Sequence, residues 1–271
     1  MVPNESPIFK MIGPPAPVAI TYIARAFQII IFISVLIWIS LLGGLRFSAK
    51  VTDSTTGAND TSGVFNWHPL LMTFSFVVCM GEAVLAYKRP VLPLPDRSAR
   101  KAWHVALHTL ALVSGTFGIT AAIKSHTLKR PDAIPNFYSV HSWFGLFICC
   151  LVLAQFSLGL LAYIVPKWSQ PNREAFGAFH AYLGLSTFLG GLATMIVGVQ
   201  EKTTFVQLLA KPGVTAVVMR LPAFIGLCIV LYAVAVVFHH APSAQTRNQE
   251  LYVSGDGGHA LEIEEQPLHA H

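Results

Sequence analysis

Six long apolar runs alternate with polar segments along the 271-residue chain. Each run has about the length, roughly 20 residues, that an α-helix needs to cross the hydrocarbon core of a bilayer. The pattern predicts spans over residues 20–45, 68–87, 103–123, 141–165, 179–199 and 214–238. The predicted organisation is a tail over 1–19, a six-helix domain over 20–240 and a second tail over 241–271. The first tail is rich in proline and polar residues and lacks the apolar core and small-residue site of a cleavable signal peptide, so the first span is expected to direct its own insertion. The second tail is polar, with Glu262, Glu264 and Glu265, and reads as disordered.

Composition agrees with a lipid-facing surface. Hydrophobic residues make up 54% of the chain and charged residues only 11%, against about 25% charged in soluble domains. The formal net charge of +5 does not point to nucleic acid, because no helix or loop has the required basic density. Cys79, Cys149, Cys150 and Cys228 all fall inside apolar runs. They share no metal-ligand spacing and are expected to be small buried hydrophobes without a disulfide.

Charge does suggest an orientation. Six spans return both ends of the chain to one side. The segment between the second and third spans, on that same side, carries Lys88, Arg89, Arg97, Arg100 and Lys101 against Asp96. Basic loops stay in the cytosol, so both termini are expected there. Asn59-Asp60-Thr61 is a glycosylation acceptor pattern on the opposite side and agrees with this orientation. Arg25, near the start of the first span, is expected to snorkel to the interface.

Four histidines stand at the doorways of four consecutive spans: His68, His104, His141 and His180. Ionisable side chains at such positions are costly unless something uses them. The second and fourth spans start on one face, so His68 and His141 lie at similar depth. The third and fifth start on the other, so His104 and His180 do too. Two imidazoles from facing helices are the usual axial ligands of a b-type haem in a helical bundle. The reading is therefore two haems b, one near each face. Gly81, Gly115, Gly118, Gly145, Gly159 and Gly184 could admit a flat macrocycle, although small residues also pack membrane helices. His108 follows His104 by one turn, and such a pair seeds a rival reading as a divalent-metal transporter. A transporter would want carboxylates within the spans, where only Glu82 lies. His108 reads better as a buried, hydrogen-bonded side chain.

The motifs carry a resemblance. They are Phe65-Asn66-Trp67-His68-Pro69, Gly81-Glu82, Ala86-Tyr87-Lys88, Lys101-Ala102-Trp103-His104, Asn136-Phe137-Tyr138-Ser139-Val140-His141-Ser142-Trp143, and His180 with Leu183-Gly184. In this order they resemble the cytochrome b561 family of transmembrane ascorbate-dependent reductases, from the first span to Glu201-Lys202. The resemblance implies an all-α membrane protein of six helices with a four-helix core, two haems b and a homodimer. It implies that His68 pairs with His141 and His104 with His180. It places cytosolic ascorbate on basic residues, here Lys88, Arg97, Lys101 and Arg173. On the other side it implicates His126 and Tyr138 beside an acceptor that is monodehydroascorbate or a ferric chelate. Ser125 departs from the asparagine expected there in ferric reductases of the family, and the 124–135 loop is longer than usual. The expected setting is a plasma membrane or an endomembrane. A rival within this class is a haem-bearing subunit that serves a protein partner.

Overall fold

The computed structural model describes residues 18–94, 96–208 and 216–241. The expected tails lie almost wholly outside the described residues. Among the described residues, six helices are long and apolar enough to cross a membrane: α1 (Val18–Leu41), α2 (Ser62–Leu85), α3 (Arg97–Thr127), α4 (Val140–Tyr163), α5 (Gln170–Leu208) and α6 (Ala216–His240). One two-stranded antiparallel ribbon, β1 (Lys50–Val51) with β2 (Asn59–Asp60), lies in the loop between α1 and α2. The chain is a multi-pass membrane protein.

Cross-helix contacts define two faces. Arg25 near the start of α1 meets Glu82 near the end of α2. Lys88 reaches the carbonyl of His239 at the end of α6, and Lys101 near the start of α3 reaches that of Tyr163 at the end of α4. These contacts gather at a first face. At the second face, Lys124 near the end of α3 donates to Phe47 O in the α1–α2 loop, and Asn59 donates to Leu128 O. The apolar core lies where α1 packs on α6 and both meet α2 and α5. Trp38, Ile31, Tyr232, Ile229, Phe188 and Val77 are fully buried there. The outer sides stay apolar, with Ile29, Phe117, Phe147 and Leu227 exposed, as a lipid-facing surface requires.

Several helix boundaries differ from the apolar runs. α1 stops at Leu41 because Gly43 and Gly44 take φ of +96° and +72°, a left-handed exit that glycine accepts without strain. α3 has 31 residues and α5 has 39, so at 1.5 Å per residue they extend about 46 and 58 Å, well beyond a roughly 30 Å apolar layer. Their first turns are polar. The expected spans 103–123 and 179–199 captured only the apolar middle. As a result His104 is the eighth residue of α3 and His180 the eleventh of α5, not members of the first turn.

α2 is irregular. Its stretch Phe74–Met80 is π-helical. Val77 O there accepts hydrogen bonds from Gln28 Nε2 at 3.0 Å and Tyr232 Oη at 3.3 Å. Side chains that insert into a helix ladder widen it in this way. Gly81 permits it, because a Cβ at that position would collide with the Tyr232 hydroxyl. Gly81 thus serves helix packing. Arg25 also departs from expectation. It does not snorkel but holds Glu82 with two bonds, Nε to Oε2 at 3.0 Å and Nη2 to Oε1 at 2.6 Å. Glu82 also accepts from Val91 N.

Candidate histidine-pair sites

The segment that carries His141 is organised by a helix cap. Ser139 Oγ accepts from Ser142 N, and Ser142 Oγ receives the Ser139 N–H, a reciprocal capping box. This fixes α4 to begin at Val140 and sets His141 as its second residue. His68 enters differently, two residues after a short break at Asn66, whose buried side chain donates to Gly44 O. The two imidazoles face each other with ring centroids 6.0 Å apart and planes at 84°. His68 Nδ1 lies 3.0 Å from Gly118 O and His141 Nδ1 lies 3.0 Å from Thr194 O. A carbonyl at Nδ1 fixes the tautomer with the proton there and leaves Nε2 bare as a ligand.

The first-face pair repeats the arrangement. His104 and His180 lie with centroids 6.5 Å apart and planes at 66°. His104 Nδ1 is 3.0 Å from Ala83 O. His180 Nδ1 is buried with no partner among the described residues. The spacings fit a shared metal. A metal–imidazole bond is about 2.0 Å and a ring centroid lies roughly 1 Å behind its nitrogen, so one ion between two imidazoles sets the centroids about 6 Å apart. Perpendicular rings can both contain the axis through such an ion.

The space around the second-face pair fits a large flat group. A cavity there is walled by Phe65, Met72, Phe76, Gly145, Ile148 and Met195 among others, and its lining is mostly apolar. Gly198, not singled out in the sequence, lies close against His141. A Cβ there would lie 2.8 Å from Nδ1. At the first face Gly159 plays this part, with a Cβ position 3.1 Å from His180 Cε1. Of the other glycines proposed to admit a macrocycle, Gly145 lines the cavity, Gly115 and Gly118 pack against α2, and Gly184 faces Gln155.

Basic residues converge beside the first-face pair. Arg97, Lys101, His104 and His108 follow at helical spacing along one side of α3. Lys101 Nζ donates to Tyr163 O at 3.0 Å, and Tyr163 Oη donates to Arg173 O at 3.2 Å. Tyr163 also touches His180, with centroids 6.0 Å apart. Arg97, Lys167 and Arg173 all act electrostatically on Lys101. Tyr87 lies against His104 at 5.2 Å. Lys88 is turned elsewhere, to His239 O at 3.2 Å, and burial holds its ammonium below the ordinary lysine value. His108 sits 4.4 Å from His104, ring to ring. Among the described residues, no group of three or more His, Cys, Asp or Glu gathers as a metal site.

At the second face an aromatic series leads outward from His68. Phe65 is 5.6 Å from His68 and 6.5 Å from His126, nearly parallel to the latter at 7°. His126 is 6.2 Å from Tyr138 and its Nδ1 is 3.1 Å from Asn136 Oδ1. Lys202 Nζ lies 4.5 Å over the Phe65 ring. Burial pushes the Tyr138 phenol above its ordinary value, and the Glu201 carboxylate adds to this. Phe65, Asn136, Glu201 and Lys202 line the same cavity and were not singled out as site residues in the sequence. Only long-range contact brings them together. The cysteines are all unpaired, and Cys150 is exposed on the outer side of α4 rather than buried.

A model of the eukaryotic cytochrome b561 family matches residues 67–206. A transmembrane ascorbate ferrireductase 1 of Arabidopsis thaliana is 34% identical over 88% of this chain and 92% of its own. A probable ascorbate-specific transmembrane electron transporter 1 of Oryza sativa is 34% identical over 86% of this chain and 93% of its own. A plasma membrane ascorbate-dependent reductase of Xenopus laevis is 36% identical over 52% of this chain and 49% of its own.

Proposed function

Because the chain belongs to the eukaryotic cytochrome b561 family, a family of haem proteins, we propose that it is an ascorbate-dependent oxidoreductase that moves single electrons across a membrane. The donor is ascorbate at the first face, which is the cytosolic one. The acceptor at the second face is monodehydroascorbate or a ferric chelate. The observation that carries this reading is the pair of facing histidines at each face, 6.0 and 6.5 Å apart. Relatives named for ascorbate-dependent electron transfer support the donor.

His68 with His141, and His104 with His180, would each hold one haem b through Nε2. A haem so held supplies a one-electron site with both axial positions filled, which suits electron transfer rather than oxygen chemistry. The carbonyls of Gly118, Thr194 and Ala83 keep three of the imidazoles in the ligating tautomer. Arg97, Lys101 and Arg173 attract the ascorbate monoanion and favour its deprotonated form, the better donor. Tyr163 ties Lys101 and Arg173 to one backbone frame beside His180. At the second face His126 and Tyr138 flank the acceptor, and Lys202 lends positive charge to the same mouth. The six-helix domain over 20–240 is the functional unit, with cytosolic termini and a second copy as its partner in the bilayer.

The test is spectroscopic. The purified protein should show reduced b-type bands equivalent to two haems per chain and should be reduced by ascorbate with no protein added. One haem per chain removes the two-site reading. Reduction only after a protein partner is supplied would make the chain a subunit instead.

A further inference from the structure

Three of the four paired histidines rest Nδ1 on a backbone carbonyl, and His180 does not. Among the described residues its Nδ1 is buried without a partner. Two other buried polar atoms in the same α4–α5 seam also have none: Gln155 Oε1 and Thr187 Oγ1. Gln155 is 7% exposed and Thr187 is 3% exposed. Gln155 is tied to His180 directly, since its Nε2 donates to His180 O at 3.2 Å.

The three atoms share one strip. His180, Gly184 and Thr187 are spaced i, i+4, i+7 along α5, and Gln155 and Gly159 are spaced i, i+4 along α4, so each set lies on one side of its helix. The glycines keep the seam open. A Cβ on Gly159 would lie 3.1 Å from His180 Cε1, and one on Gly184 would lie 3.9 Å from Gln155 Nε2. An unsatisfied buried polar atom costs about 1–3 kcal/mol. A buried water is stable where it finds two to four polar partners.

Resting on the haem reading above, we propose that Gln155 is the positioning residue of His180 and acts through an internal water held between Gln155 Oε1 and His180 Nδ1. The water accepts the Nδ1–H, fixes the tautomer that leaves Nε2 bare, and does for His180 what a carbonyl does for the other three. A hydrogen bond from Nδ1–H makes an imidazole a stronger donor to iron and favours the ferric form. The seam therefore sets the reduction potential of the first-face haem from inside the membrane.

The test is a potentiometric titration of the full-length holoprotein, read by haem absorbance. The parent must first show two haem components. If it does not, the haem reading fails before this inference is reached. The first-face component is assigned in His68→Ala, which keeps only that pair. Gln155→Met should shift that component to higher potential and leave the other unmoved, with haem content intact. Gln155→Glu, which retains an acceptor oxygen, should hold that component at or below the parental value. Gln155→Leu should shift the same component in the same direction, and it decides the matter if Gln155→Met does not fold. An unmoved first-face component in Gln155→Met and in Gln155→Leu overturns the proposal, as does an equal shift of both components.

Discussion

At the scale of single residues, Lys101 and Arg173 carry the sharpest expectation. They approach His180 through Tyr163 from two helices. Replacing either with alanine should slow reduction by ascorbate and leave haem content unchanged. A hydrogen bond to a charged group contributes about 1.5–3 kcal/mol, so the loss should be roughly ten- to a hundred-fold at subsaturating ascorbate. High salt should slow the parent too, by screening. Stopped-flow with ascorbate and with a small neutral reductant measures this. Equal slowing with both would mean that these side chains tune the haem rather than bind its donor. A second expectation reverses the motif reading of Asn59. Its Nδ2 donates to Leu128 O at 2.8 Å and its Oδ1 accepts from Arg130 N at 3.0 Å. The side chain is buried and staples two loops of the second face, so it should run unglycosylated. Glycosidase treatment that lowers the apparent mass, and fails to do so in Asn59→Gln, would contradict that.

Asp60, beside it, responds to acid. Burial alone would raise its carboxyl, but hydrogen bonds from Ser62 and the charge of Arg46 outweigh burial and hold it below the ordinary 3.8. A carboxyl depressed in the fold adds stability above its unfolded value and loses it as pH falls through the folded one. The second-face loops should therefore loosen in acid below that ordinary value, and Asp60→Asn should weaken this dependence. Proteolysis of these loops against pH reads it.

At the scale of elements, the ion pair of α1 and α2 is the strongest test of packing. Arg25 and Glu82 are only 18% and 11% exposed in their side chains. Removing one partner of a buried pair costs about 3–5 kcal/mol, while replacing both by apolar residues is often neutral. Glu82→Ala should lower the thermal midpoint clearly, and Arg25→Met with Glu82→Met should recover most of it. A single variant as stable as the parent would show the pair to be dispensable. The contrast between elements also shows what the sequence could tell. Six spans and the sorting of four histidines followed from hydropathy and from alternating direction, because both depend only on order along the chain. Helix ends were less legible. The polar first turns of α3 and α5 look like loop in composition, and α1 stops on two glycines whose backbone conformation leaves no hydropathy signal. Arg25 near a span end reads as a snorkelling side chain until its partner, 57 residues away, is known. The ladder from Phe65 to His126 and Tyr138 is likewise assembled from three separate segments.

At the scale of the whole molecule, the proposed function requires the two histidine pairs to act in series, one at each face. Vesicles with the protein in one orientation, ascorbate sealed on its first-face side and a ferric chelate on the other, test this directly. The parent should reduce the outer chelate. His68→Ala should stop that reduction yet keep an absorption band that enclosed ascorbate still reduces. His104→Ala should also stop it, and should lose most of its fast reduction by enclosed ascorbate. Reduction of the outer chelate at the parental rate in either variant would contradict the account.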